Sequence, residues 1–300
     1  VIINNPAFQR LRKIRQLGLA YMVFPEAEAK RFEHCIAVGY LAGVVAKQLR
    51  HTCPEITDWH VTLTKIAGLC HDVGHGPFSH LWDEFSAIDG SEHEVRSCKL
   101  VRWMMESRPD LFSDKDIRTV QAIIEPGLGN KYPLPDGVPP CLREIVCNKR
   151  HGLDVDRLEY ISSDCRFVFP GIEKRWDAVR LLRQSRVSNG HWEFQAEVKE
   201  QVAEILKIRK NLYRECYHHL TTVTLSELLV KALRLADEKL GLTQATRLSS
   251  KEDILRYIKL DDSILQTLQE TTDPDLQEAR KVAILVRPVH ASFLQLAERT

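Results

Sequence analysis

The 300-residue chain has no apolar run approaching the roughly 20 residues that a membrane-spanning helix needs, and its first residues lack the apolar core of a signal peptide. Neither sign of charge dominates. Lys and Arg number 42 against 41 Asp and Glu, a net charge of +1, so no global field draws the protein to nucleic acid or an anionic membrane, and any anion site must be local. CxxC pairs are absent, and the eight cysteines (Cys35, Cys53, Cys70, Cys98, Cys141, Cys147, Cys165 and Cys216) fall mostly in helical-looking runs. They are expected to be reduced, buried thiols of an intracellular, soluble protein, nuclear or cytoplasmic. No Gly/Ser-rich linker, low-complexity tract or repeat divides the sequence, so one domain over 1–300 is expected, with about 221–300 as a C-terminal helical lobe. Numbering starts at Val1 rather than Met, as in a fragment of a longer polypeptide.

What is present is helix. A hydrophobic content of 44% in a chain of this length suffices for a large core. Asn5-Pro6 is a helix start, and Phe8, Leu11, Ile14 and Leu17 follow at helical spacing, with Gly18 closing the run. Helical spacing recurs over Arg31–Leu49 and Val61–Val73, and again near His93–Ser107, Ser113–Ile124, Pro140–Cys147, Val155–Cys165, Lys174–Gln184, Glu197–His219, Leu225–Leu240 and Lys251–Leu260. One exception is Ser185–Phe194, where Ser188-Asn189-Gly190 between Val187 and Trp192/Phe194 predicts a hairpin. Lys131–Pro140, with its prolines and glycine, reads as a surface loop. The expected class is all-α, a helical bundle with one small β-hairpin.

The strongest chemical signal is Leu69-Cys70-His71-Asp72-Val73-Gly74-His75-Gly76-Pro77-Phe78-Ser79-His80, at the end of a very apolar helix. Adjacent His71 and Asp72 offer one imidazole nitrogen and one carboxylate oxygen to a single ion, and the glycines let backbone approach closely. His75 is expected one turn beyond His71 on the same helix face. A lone His at an apolar helix end is ordinarily a hydrogen-bonded core residue, but three histidines and an aspartate together would incur several desolvation penalties without an ion or anion among them. His34, in Arg31-Phe32-Glu33-His34, reads by itself as a helix-start residue, and Asp154-Val155-Asp156-Arg157 as a solvated face.

These segments, with Asn148-Lys149-Arg150-His151-Gly152-Leu153 before Asp154, follow the H…HD…D order of the HD superfamily. More narrowly, Phe8-Gln9-Arg10-Leu11-Arg12, Gln16-Leu17-Gly18 and Val23-Phe24-Pro25 resemble the SAM- and HD-domain-containing deoxynucleoside triphosphate triphosphohydrolases. The likeness runs from about Ile3 to Asp237 and is close over Pro6–Asp83 and Glu144–Asp164. It implies an HD-domain bundle that splits a dNTP into deoxynucleoside and inorganic triphosphate. It also implies four ligands, His34, His71, Asp72 and Asp156, to one tightly bound divalent transition metal (iron, manganese or zinc), with magnesium accompanying the triphosphate.

On the same resemblance, His80 is the general acid, held by Asp83, while His75 and His93 contact phosphates or back the metal site. Arg31, Arg157, Arg209 and Tyr160 would take the triphosphate, and Gln16, Leu17 and Asp164 the sugar, with Tyr217 packed where a ribose 2′-hydroxyl would project. A regulatory nucleotide, GTP or a dNTP, would engage Asn4, Gln9, Arg12 and Arg175. Here the chain departs from the family: Asn4 stands for an acid, Arg157 for a lysine, Leu220 for a basic residue, and no basic pair occurs around Gln195–Lys199. A homo-oligomer, dimer or tetramer, is the expected assembly, and single-stranded nucleic acid a candidate partner. Two other functions fit the same motifs: an HD phosphohydrolase of another nucleotide, or a nucleotide- or nucleic-acid-binding module with little turnover.

Overall fold

The computed structural model describes residues 1–86, 92–125, 127, 131–168 and 177–288. The first half runs α1 (Pro6–Gln9), α2 (Arg31–Leu49), α3 (Asp58–Cys70), α4 (His80–Ser86), α5 (His93–Glu106), α6 (Asp114–Ile124), α7 (Arg143–Val146) and α8 (Val155–Val168). Then follow α9 (Ala178–Leu182), the strands β1 (Ser185–Ser188) and β2 (His191–Phe194), α10 (Lys199–Leu212), α11 (Leu220–Leu240), α12 (Leu242–Thr246), α13 (Lys251–Tyr257), α14 (Ile264–Glu270) and α15 (Gln277–Ala283). Among the described residues the hairpin is the only sheet. It pairs antiparallel with Val187 opposite Trp192, and both Asn189 (φ +51°) and Gly190 (φ +79°) take the positive φ of a tight hairpin turn.

The α2–α3 pair is the backbone of the bundle. A Cβ on Gly68 would stand 3.0 Å from Gly39 Cα and Val38 O, so the two helices approach at glycine distance. That approach sets the end of α3, which carries His71, against the start of α2, which carries His34. None of the eight cysteines is in a disulfide; six are buried, and Cys53 and Cys147 are partly exposed.

Several helix boundaries differ from expectation for identifiable reasons. The first helix does not reach Gly18: α1 tightens into a 3₁₀ turn over Arg10–Lys13, and the chain is extended at Ile14. Ile14 O accepts from Arg31 N–H (2.9 Å) and Gln16 N–H donates to Ala29 O (2.9 Å), so pairing with the segment before α2 replaces helix. The third helix begins earlier, at Asp58, because Thr57 and His60 form a reciprocal cap, and it ends at Cys70. His75 is therefore not one helical turn from His71 but in the turns beyond it. The expected helix over Glu197–His219 divides: α10 stops at Leu212, Tyr213–Tyr217 forms a π-helical turn closed by His218 N–H donating to Tyr213 O (3.0 Å), and α11 starts at Leu220 rather than Leu225. Of the helix expected over Lys174–Gln184, α9 forms with Asp177 as its cap; 174–176 lie outside the described residues.

The segment from His71 to His80, called here the HD loop, is clamped from the far end of the chain. The buried Arg10 guanidinium donates to Val73 O (3.1 Å), His75 O and Leu260 O (2.9 Å). Tyr257 O–H donates to Gly74 O (2.7 Å), and the Asp262 carboxylate accepts from the N–H groups of Phe78 (2.7 Å) and Arg15 (2.9 Å). Phe78 and Ser79 sit at φ +58° and +61°, a costly conformation for side-chain-bearing residues that Asp262 helps to hold. Removing that acceptor leaves two N–H groups without it, at about 1–3 kcal/mol apiece when buried. Asp262→Ala should therefore lose about 2–4 kcal/mol of stability in urea titration; a loss below about 0.5 kcal/mol would show that the loop holds itself.

Candidate metal centre and substrate cleft

Four side chains from three elements converge beneath the HD loop. His34 Nε2 lies 3.2 Å from His71 Nε2, 3.1 Å from Asp156 Oδ1 and 3.3 Å from Asp72 Oδ2, and His71 Nε2 lies 3.4 Å from each of those oxygens. Ligands at about 2.1 Å from a common tetrahedral centre stand about 3.4 Å apart, so this spacing fits an ion. The remaining ring nitrogens are engaged: His34 Nδ1 with the Glu159 carboxylate, and His71 Nδ1 with Gly68 O at 2.8 Å. Such bonds turn both Nε2 lone pairs inward, as metal-binding imidazoles require. Burial lowers the His34 pKa, but Glu159, Asp156 and Asp72 outweigh it and carry it well above the usual imidazole range.

Cys35 also reaches His71 and Asp72. Burial, with the Asp72 carboxylate beside it, pushes its thiol well above the ordinary value, which keeps it protonated and a poor ligand. Asp72 does two things at once, since its Oδ2 also pairs with the buried guanidinium of Arg31.

Next to this group stand His75, His80, Asp83 and His93. His75 is completely buried and stacks on His93 with ring centroids 3.9 Å apart. Asp83 lies 3.5 Å from His80 Nδ1, but its closer partners are His93 Nδ1 at 3.0 Å and the Arg96 guanidinium. His80 is the open member, with 72% of its side chain exposed.

Around the cleft, Tyr160 O accepts from Arg209 Nε (2.6 Å), and Tyr217 O–H donates to the buried Asp164 carboxylate. A cavity of about 160 Å³ is lined by Gln16, Leu17, His80 and Tyr217, among others. Not every expected phosphate contact faces it freely. Arg31 is bound to Asp72 and to Ser79 Oγ (2.7 Å), and Arg157 to Asp154 (2.6 Å) and Asn148 O (3.1 Å). At the N-terminus Arg12 Nε donates to Gln9 Oε1 (2.9 Å), and its guanidinium lies 3.4 Å from the Phe32 ring centre; Asn4 is exposed beside them. Arg175 lies outside the described residues.

Sequence reasoning missed Glu159, Arg96, Tyr257 and Asp262. Glu159 had a signal, three residues after Asp156 on α8, and Arg96 follows His93 by three on α5.

The HD domain family model matches residues 31–145, the span that holds His34, the HD loop and α5. Residues 31–145 are thus matched as an HD domain. The chain is similar to the deoxynucleoside triphosphate triphosphohydrolase SAMHD1 of Homo sapiens, at 34% identity over 94% of this chain and 50% of that protein. It is also similar to the SAMHD1 homolog of Dictyostelium discoideum, at 31% over 95% of this chain and 54% of that one. A putative HD domain-containing protein L394 of Acanthamoeba polyphaga mimivirus is 30% identical over 91% of this chain and 61% of its own length. The chain thus spans about half the length of the curated triphosphohydrolases it matches. Among the described residues no helix is long and apolar enough to cross a membrane.

Asp164 gives the HD-domain cleft a measurable pH dependence. Burial pushes its carboxyl up to about 7 from 3.8. A raised carboxyl contributes stability that is fully present below its unfolded value and lost as pH rises through its folded one. Asp164→Asn removes that loss, so its melting temperature relative to the parent should climb between about pH 4 and pH 7. A difference that stays flat across that window contradicts the assignment.

Proposed function

We propose that this chain hydrolyses dNTPs to deoxynucleoside and inorganic triphosphate in the cleft between the start of α2, the HD loop, α8 and the π-helical turn. The observation that carries the reading is a pair of buried acceptors beside the four convergent ligand atoms. Gln16 Oε1 and Asp164 Oδ1 have no hydrogen-bond partner, although Gln16 lines the cavity and Asp164 is joined to it through Tyr217. Unpaired buried acceptors cost about 1–3 kcal/mol each, and a sugar hydroxyl is a donor of the right size to satisfy them. The Tyr217 ring beside Asp164 would leave a ribose 2′-hydroxyl neither space nor solvent.

In this reading His34, His71, Asp72 and Asp156 hold a divalent iron, manganese or zinc ion, and magnesium travels with the triphosphate. When bound, that ion supplies Lewis acidity at the α-phosphate and lowers the pKa of the attacking water. His80, exposed at the cleft mouth, passes a proton to the departing 5′ oxygen. His93 and Arg96 hold Asp83 beside it. Arg209, bound to the hydroxyls of Tyr160 and Tyr213, is the cation readiest for phosphate, whereas Arg31 and Arg157 must first share or leave their carboxylates. Regulation by GTP or a dNTP at Asn4, Gln9 and Arg12, and assembly into dimers or tetramers, belong to the same proposal.

The test is product identification with each dNTP and NTP, with and without GTP. Deoxynucleoside plus triphosphate, from dNTPs alone, is the expected result. Monophosphate plus pyrophosphate, or equal turnover of ribonucleotides, would overturn it.

A further inference from the structure

The cluster of His75, His80, Asp83 and His93 offers more than proton transfer. We infer that these four residues form a second, inhibitory cation site that takes a borderline transition ion such as Zn²⁺ in competition with substrate. The inhibitory part rests on the role proposed for His80; the binding part does not.

Each of the four brings one ligand atom within 4.8 Å of all the others. The geometry is tightest around Asp83 Oδ2, at 3.0 Å from His93 Nδ1 and 3.5 Å from His80 Nδ1. Bonds of about 2.0–2.1 Å to a tetrahedral ion put neighbouring ligands about 3.3–3.4 Å apart, so these separations bracket the required edge. His75 supplies an independent indication. It is completely buried, yet its Nδ1 has no hydrogen-bond partner and its Nε2 has only the Asp72 carboxylate nearby, at 3.4 Å. Its ring faces the cluster, with centroids 3.9 Å from His93 and 4.9 Å from His80. An unpaired buried nitrogen is a standing cost that an ion, drawing the wider members inward, would remove.

Three imidazoles and one carboxylate suit zinc or cobalt, whereas magnesium and calcium demand oxygen. The carboxylate is already oriented from behind, because Asp83 Oδ1 is held by the buried Arg96 guanidinium. An ion can enter through His80, whose side chain is mostly open to solvent, while His75 closes the floor. The site uses none of His34, His71, Asp72 or Asp156. An ion there occupies ring nitrogens of the group that would serve the leaving oxygen, so turnover stops while the first ion stays in place.

The experiment is an ion count on the whole chain, stripped with chelator and titrated with Co²⁺ by visible absorption and with Zn²⁺ by elemental analysis after desalting. The parent should take up two ions. His80→Gln and His93→Gln should weaken the second ion at least about tenfold and retain the first, and His71→Gln should do the converse. Zn²⁺ beyond the first equivalent should suppress dNTP hydrolysis. Uptake of one ion by the parent, or two ions still held by His80→Gln and His93→Gln, overturns the site. Two ions bound with undiminished hydrolysis overturns its inhibitory role. Because ions are counted without substrate, a chain that binds two ions yet hydrolyses no dNTP at any loading refutes the proposed activity and leaves this site standing.

Discussion

If the proposed function holds, Asp72→Asn should cost at least about a thousandfold in kcat/KM for dNTP hydrolysis, about 4 kcal/mol of transition-state stabilisation, while the helical fold persists. The substitution keeps shape and removes charge at an atom that lies 3.3 Å from His34 Nε2 and 3.4 Å from His71 Nε2 and also pairs with Arg31. Asp72→Ala should go further. It strands the Arg31 guanidinium, whose side chain is only 3% exposed, and breaking a buried pair from one side costs about 3–5 kcal/mol. The two variants therefore help to separate chemistry from structure: both should lose bound metal by elemental analysis, and the alanine should lose more stability in urea, because asparagine still offers Arg31 an acceptor oxygen. An asparagine variant with parental metal content and turnover would remove Asp72 from the ligand set.

Gly74→Ala is the largest expected effect on folding. A Cβ there would stand 2.3 Å from both His93 O and Ser97 N and 2.8 Å from Arg96 C, all backbone atoms of α5. No rotamer change relieves a clash with backbone, so the HD loop or α5 must move by about an ångström, and the cost should reach at least about 3 kcal/mol. The same movement would part His75 from His93 and loosen the bonds from Tyr257 and Arg96 to Gly74 O. Urea midpoints and activity should fall together; an unchanged midpoint would mean that loop and helix are not interlocked.

How much of this was legible in the sequence depends on how local each feature is. His71 and Asp72 are adjacent, so their chemistry could be read directly, and the Asn189-Gly190 turn named its own hairpin. His34 and Asp156 stand 37 residues before His71 and far after it in the chain, and only the family pattern joined them to it. The first helix was misread because Ile14 pairs with Arg31, a tertiary bond that no local periodicity encodes. Short elements such as α4, α12, α14 and α15, of five to seven residues, are too brief to display a 3.6-residue pattern. Arg157, expected to face phosphate, donates its backbone N–H and guanidinium to Asp154 at the entrance of α8, a pairing that the motif alone does not announce. Tyr257 and Asp262 carry no motif at all.

The clamp on the HD loop also bears on when the centre can form. The bonds from Tyr257 to Gly74 and from Asp262 to Phe78 span 183 and 184 residues, and that from Arg10 to Leu260 spans 250. Contacts of such separation close late, after their loop entropy has been paid, and residue 262 must have been delivered before all three exist together. A nascent chain halted after α11 can build α2 and α3 and bring His34 to His71, but it has nothing to keep Phe78 and Ser79 in their left-handed turn. On the proposed function, catalytic competence is thus expected only once residue 262 has emerged, well after the four candidate ligands have met.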